Sequence, residues 1–178
     1  MQISQLTLMN PQPVFRSLAT AIAPALLCLL CATTCMADEK QQPKLPSGVR
    51  MERDLAYIEG GDEAQRLDLY LPTQAPEKPL PLIVHIHGGG WRGGSKYPCS
   101  FVGMVNRGYV VASIEYRFSQ KAVFPAQIQD CQAAIRWLRG NSKQFSIDPE
   151  RIGVIGGSAG GHLSALVGTA GGAKAFPH

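Results

Sequence analysis

The stretch Arg151-Ile-Gly-Val-Ile-Gly-Gly-Ser-Ala-Gly160 joins a short apolar run to a glycine-rich turn around Ser158. Such a run is typical of a strand that is covered on both faces of a parallel sheet. Residues 156–160 match G-x-S-x-G, in which a sharp strand-to-helix turn holds a serine hydroxyl clear of the backbone. The sequence therefore predicts a strand, a turn and a helix, with Ser158 as a nucleophile. A glycine-rich phosphate or helix-packing turn is the alternative.

Two more apolar runs, 82–86 and 109–114, precede the serine and predict further strands of the same sheet. Helical patterns lie between the runs, over 98–107 and over 125–139, and each is followed by a glycine that can end the helix. Strands that alternate with helices predict an α/β fold with a parallel sheet and right-handed crossovers.

Earlier in the chain, residues 49–58 and 66–71 are rich in strand-forming residues, and residues 59–62 between them form a turn signal. This arrangement predicts an antiparallel hairpin ahead of the parallel strands. Residues 38–48 are polar and contain two prolines, which predicts a linker.

The first 37 residues have the composition of a secretory signal peptide. Arg16 precedes an apolar stretch over 18–31, and small residues lead to Ala37. Cleavage after Ala37 would give a secreted or periplasmic protein. An uncleaved membrane anchor is the alternative, because residues 17–37 are uncharged and nearly long enough to span a bilayer.

Composition argues against several classes of partner. The net charge is only +4, and Lys and Arg are scattered without a run of five, so binding to nucleic acid or to an anionic membrane has no support. Cys99 and Cys131 remain after cleavage. They either form one bridge or are two small buried side chains, and the second is favoured because nothing in the spacing requires a bridge. No spacing implies a metal or an organic cofactor.

His87-Gly-Gly-Gly-Trp91 follows the strand predicted over 82–86. Acyl transfer needs backbone N–H groups aimed at the oxyanion, and consecutive glycines leave such groups bare. Gly88 or Gly89, together with Ala159 after the serine, are the predicted donors. His87 is expected to order this loop through a hydrogen bond. Trp91 either lines an acyl pocket or packs beneath the loop.

Together these motifs resemble the esterase and lipase group of α/β-hydrolases, and most closely its bacterial feruloyl- and acetyl-esterase-like subgroup. The resemblance covers about residues 49–170. It rests on His85-Ile-His-Gly-Gly-Gly-Trp91, Glu115-Tyr-Arg117, Phe124-Pro-Ala-Gln-Ile128 and Ile147-Asp-Pro-Glu-Arg-Ile-Gly-Val-Ile-Gly-Gly-Ser-Ala-Gly-Gly-His-Leu163. It implies hydrolysis of carboxylic esters through an acyl-enzyme. The implied substrates are acetyl or feruloyl esters on plant polysaccharide, or small synthetic esters.

The family also places an acid and then a histidine after the serine, whereas residues 159–178 contain no Asp or Glu. Residues 49–178 are therefore expected to be a partial domain without its carboxy-terminal strands. About 100 further residues would complete it, and the chain as given is expected to be inactive alone. His162 is expected to pack along its helix, His85 to be a satisfied core histidine, and Asp148 to lie at the wrong end of the sheet.

Two other functions share these motifs. One is a truncated, non-catalytic remnant or binding module that retains the serine turn and the glycine loop. The other is an arylformamidase-like amide hydrolase, because the motifs do not separate ester from amide bonds.

Overall fold

The computed structural model describes residues 44–170, so the predicted signal peptide and His178 lie outside the described residues. Within these residues, five strands form one sheet, accompanied by two α-helices and one 3-10 helix. The strands are β1 (Val49–Ala56), β2 (Arg66–Pro72), β3 (Leu80–Ile86), β4 (Val110–Ile114) and β5 (Ile147–Gly156). The 3-10 helix is Val102–Arg107, and the α-helices are α1 (Ala126–Gly140) and α2 (Ala159–Thr169).

The sheet has the strand order β1-β2-β4-β3-β5. β1 pairs antiparallel with β2, which confirms the predicted hairpin, and β2 pairs antiparallel with β4. β3 lies between β4 and β5 and is parallel to both. This arrangement confirms the α/β fold, and it brings the carboxyl ends of β3, β4 and β5 to one edge of the sheet.

Two predicted elements differ in extent. The helix expected over 98–107 is only a 3-10 helix of six residues, and Gly108, with φ 85, follows its last residue. Gly103 lies inside this segment and is a poor helix former. In so short a segment, it favours the 3-10 form over a full α-helix. The serine strand was predicted to begin at Arg151, but β5 begins at Ile147, where Leu80 of β3 pairs with it.

Successive side chains along the strands belong alternately to two apolar clusters. The larger cluster contains Leu82, Val84 and Ile86 from β3, and it packs against α1 and α2. The smaller cluster, which includes Tyr70, packs against the 3-10 helix. The period of two along each strand explains this division between opposite faces.

The two cysteines lie in different clusters. Cys131 belongs to the larger cluster and Cys99 to the smaller, and both are buried free thiols. The structure therefore agrees with the favoured prediction of two buried side chains rather than a bridge.

Residues 44–48 pack onto the sheet. Leu45 contacts the smaller cluster. The Ser47 carbonyl accepts a hydrogen bond from the Asn106 amide at 3.1 Å, and the Gly48 carbonyl accepts one from the Thr73 N–H at 2.9 Å. Among residues 44–170, no helix has the length and apolarity needed to cross a membrane.

Candidate active site

Ser158 occupies the turn between β5 and α2. It is exposed, and its backbone has φ 53 and ψ −123, a conformation that favours glycine and is strained for other residues. The flanking glycines make the turn possible. A Cβ on Gly156 would lie 2.5 Å from the Ile86 carbonyl oxygen, and one on Gly160 would lie 2.8 Å from that of His87. The turn therefore packs directly against the end of β3, as the predicted nucleophile position requires.

The loop after β3 lies beside this turn. A Cβ on Gly88 would be 2.9 Å from the Gly157 carbonyl oxygen and 3.5 Å from the Ser158 Cβ. Gly89 has φ 118, which glycine adopts without strain. Because β3 and β5 are neighbouring parallel strands, the glycine loop and the serine come from the same edge of the sheet.

Two of the predicted donors have free N–H groups. Within residues 44–170, no protein acceptor receives a hydrogen bond from the backbone N–H of Gly89 or of Ala159. Ala159 is the first residue of α2, and the first N–H groups of a helix have no partner within the helix. The helix dipole also favours negative charge at that end. These groups can therefore stabilise an anion that forms near Ser158.

His87 lies beneath the glycine loop and is only 5% exposed. Its Nδ1 is 2.7 Å from the Gly88 carbonyl oxygen, and its Nε2 is 2.6 Å from Oε1 of Glu115. The ring stacks on Tyr116 with centroids 4.5 Å apart. The Tyr116 hydroxyl donates a hydrogen bond to the His87 carbonyl oxygen at 3.1 Å. The sequence predicted the contact between His87 and its loop.

Glu115, in contrast, was not identified from the sequence as a site residue. It directly follows β4, and its Oε2 accepts a hydrogen bond from the Lys96 N–H at 3.1 Å. The available signal was its position after a buried strand, at the edge where the glycine loop also begins. Glu115 thus joins the His87 ring to the segment that follows the glycine loop.

Lys96 anchors that segment to the sheet. Its Nζ contacts Asp54 at 2.8 Å and Asp68 at 3.0 Å, and Asp68 is fully buried. Burial alone would lower the pKa of Lys96, but hydrogen bonds to the two carboxylates raise it above its usual value. The Lys96 carbonyl oxygen accepts a hydrogen bond from the Ser113 hydroxyl at 2.7 Å. The segment around Lys96 is therefore held in place by both the side chain and the backbone of Lys96.

Trp91 lines a cavity of about 440 Å³ whose walls include the glycine loop and α2. Its ring meets His162 edge-on, with centroids 5.4 Å apart, and it is 40% exposed. Of the two predicted placements, the structure therefore favours the pocket lining. The lining residues are Gly90, Trp91, Arg92, Ser119, Phe124, Gln127, His162 and Leu163.

None of the histidines within residues 44–170 forms a hydrogen bond with Ser158. His85 contacts the Ser113 hydroxyl at 3.0 Å, as expected for a satisfied core histidine, and burial lowers its pKa. His162 contacts Trp91. Asp148 lies at the start of β5, away from the serine, and pairs with Arg151 at 2.6 Å. In the same part of the chain, no group of three or more His, Cys, Asp or Glu side chains has a metal-binding arrangement.

A serine on a strained strand-to-helix turn, beside a glycine loop at the carboxyl ends of parallel strands, defines an α/β-hydrolase. Comparison with known proteins identifies the family. The family described as BD-FAE matches residues 67–178, and the chain belongs to it.

Esterase LipC of Mycobacterium tuberculosis is 39% identical over 112 residues, which are 61% of this chain and 28% of LipC. Carboxylesterase NlhH of the same species is 34% identical over 131 residues, covering 72% of this chain and 40% of NlhH. The chain therefore spans well under half the length of these relatives.

Solved structures agree with the fold. A truncated form of a carbohydrate esterase from gut microbiota has a TM-score of 0.61 at 37% identity, covering 66% of this chain and 42% of that protein. Esterase B from Lactobacillus rhamnosis has a TM-score of 0.64 at 31% identity, covering 80% of this chain and 47% of its own.

Proposed function

We propose that the full-length protein hydrolyses carboxylic esters through an acyl-enzyme on Ser158. The observation that carries this proposal is the approach of the two loops, with the Gly88 Cβ position 3.5 Å from the Ser158 Cβ. The approach supports the proposal, because Gly89 and Ser158 are both exposed and Ala159 directly follows the serine. Relatives that are named esterases support the same activity.

In the proposed reaction, the Ser158 hydroxyl oxygen attacks the ester carbonyl carbon. Its proton passes to a histidine base, which no residue within 44–170 supplies. The carbonyl oxygen becomes an anion that accepts hydrogen bonds from Ala159 and from Gly88 or Gly89. Collapse breaks the ester C–O bond, and the departing alkoxide oxygen takes the proton from the base and leaves as the alcohol. Water then hydrolyses the acyl-serine by the same route.

The proposed substrates are small-molecule esters or esters linked to polysaccharide. The cavity that Trp91 lines is also lined by Phe124 and Leu163, which suits an apolar acyl or aryl group. The neighbour titled a carbohydrate esterase supports a carbohydrate-linked ester.

The test is hydrolysis of p-nitrophenyl acetate by the full-length protein and by its Ser158→Ala variant. We expect the variant to retain less than about 0.1% of the activity, because loss of the nucleophile leaves only residual catalysis from binding and the oxyanion donors. Ser142→Ala is the matched control, since Ser142 follows α1 and uses only backbone groups in its hydrogen bonds. Activity that survives Ser158→Ala would refute the nucleophile.

We also propose that the protein is exported. The support is the charge at Arg16, the apolar stretch after it and the small residues before Asp38. Amino-terminal sequencing of protein recovered from the periplasm or the medium is expected to begin at Asp38. A mature chain that begins at Met1 would contradict cleavage.

A further inference from the structure

Both ring nitrogens of His87 face hydrogen-bond acceptors. On one side the Gly88 carbonyl oxygen lies 2.7 Å from Nδ1, and on the other a carboxylate oxygen of Glu115 lies 2.6 Å from Nε2. A carbonyl oxygen can only accept, so Nδ1 must carry a proton. A neutral imidazole has one N–H, and it would then present a bare nitrogen to the carboxylate.

The proton at Nε2 follows from the surroundings of Glu115. The second carboxylate oxygen of Glu115 accepts a hydrogen bond from the Lys96 backbone N–H at 3.1 Å. Two groups therefore contact the same carboxyl group. Hydrogen bonds donated to a carboxyl group favour its ionised form. The Lys96 ammonium lies against Asp54 and Asp68 instead, which leaves His87 as the ion-pair partner of Glu115. With Glu115 ionised, both ring nitrogens would donate a hydrogen bond, as they do in an imidazolium.

We propose that Glu115 holds His87 as a buried imidazolium and that its Nδ1–H polarises the Gly88–Gly89 peptide. The Gly88 carbonyl oxygen and the Gly89 N–H belong to the same peptide unit. A charged donor on that oxygen draws electron density towards it and makes the Gly89 N–H a stronger donor. This inference rests on the proposed function, and it makes Glu115 a positioning residue that acts through His87 on the oxyanion.

The packing around the ring suits this role. Tyr116 stacks against one face of His87, and Phe118 meets the ring edge-on, so the ring is packed between aromatic side chains. A Cβ on Gly94 would overlap Nδ1, which shows that the loop closes tightly over the ring. The charge is therefore held in a site with little water, where electrostatic effects are stronger than in solution.

The first experiment compares Glu115→Gln with Glu52→Gln in the full-length protein. Glu52→Gln removes the same charge, but from an exposed pair with Arg50 in β1. For Glu115→Gln we expect kcat to fall about tenfold with KM nearly unchanged, because oxyanion donors act in the transition state. Affinity for a boronic acid, which binds serine as a tetrahedral anion, should weaken by the same factor. A partly unfolded sample would lower the number of active sites without changing that affinity.

Glu52→Gln should match the parent protein in kcat and in boronic acid affinity. If Glu115→Gln binds the boronic acid as tightly as the parent while Ser158→Ala is inactive, the polarisation is refuted and the ester hydrolase stands. If Ser158→Ala remains active, the proposed function fails, and the next measurement still decides the charge.

That measurement is nitrogen NMR of histidine-labelled full-length protein near pH 7, with the His87 signals assigned by their loss in His87→Gln. Protons on both ring nitrogens are expected. A single protonated nitrogen would overturn the imidazolium whether or not the enzyme is active. This result needs no Glu115 variant, so misfolding of that variant does not leave the inference open.

Discussion

Gly160 packs so closely against Ile86 that a methyl group at Gly160 would overlap the Ile86 carbonyl oxygen. The contact joins the first turn of α2 to the last residue of β3, and it holds the serine turn beside the glycine loop. The overlap would be between the new Cβ and the Ile86 carbonyl oxygen. Because the backbone fixes the position of both atoms, rotation of a side chain cannot relieve it.

Gly160→Ala is therefore expected to destabilise the protein by about 3 kcal/mol or more, through a shift of the turn. Chemical denaturation followed by circular dichroism measures the change. Gly168→Ala is the matched control within α2, because nothing lies within 4 Å of its Cβ position. It should be neutral or stabilising by up to about 1 kcal/mol. Equal effects of the two substitutions would show that the contact has no structural importance.

Lys96→Met should also be costly. It leaves the carboxylate of Asp68 buried without its cation, and breaking a buried pair in this way costs about 3–5 kcal/mol. Lys121→Met removes the same charge from a pair with Asp62 in which the lysine side chain is 59% exposed, and it should cost much less than Lys96→Met. Urea unfolding of both variants gives the comparison. A Lys96→Met protein as stable as Lys121→Met would mean that Asp68 needs no ion-pair partner.

Phe124 is expected to affect substrate choice. Its side chain lines the cavity beside Trp91, so Phe124→Ala should lower kcat/KM for p-nitrophenyl butyrate about tenfold and for the acetate by less than about twofold. Val123→Ala changes an 81% exposed neighbour outside the cavity lining and should change neither value. If Phe124→Ala lowered kcat/KM for both esters by the same factor, the cavity would have no role in selecting the acyl group.

Cys99 and Cys131 should resist alkylation in the native protein. Burial raises the pKa of both thiols, so little thiolate is present at neutral pH. Iodoacetamide followed by peptide mapping should modify neither residue without denaturant and both residues in urea. A peptide that links the two cysteines would contradict the free thiols.

The sequence was sufficient for the serine turn because the constraint there is local. Gly156 and Gly160 flank Ser158 within five residues, and a strand and a helix follow from the adjoining patterns. The contact of Glu115 with His87 spans 28 residues and depends on β3 pairing with β4. No local pattern reports such a pairing. The sequence therefore predicted the glycine loop and its histidine, but not the acid that holds the histidine.

The same limit explains the anchoring of the segment around Lys96, which follows the glycine loop. Lys96 is 28 residues from Asp68 along the chain, and a lysine after two glycines usually indicates an exposed turn. Its burial accompanies ion pairs with Asp54 of β1 and Asp68 of β2, which form only when the chain folds back onto the sheet. Tertiary contacts among buried polar groups were thus the part that the sequence did not predict.

The backbone of Ser158, with φ 53 and ψ −123, lies where glycine is the least strained residue. Folding alone would thus prefer glycine at this position, and the proposed reaction is what would favour serine. Over evolutionary time, a lineage that no longer needed the reaction would gain stability from a single Ser-to-Gly change. Retention of serine in this conformation across descendants would therefore record continued selection for catalysis, independently of how well the rest of the fold is preserved.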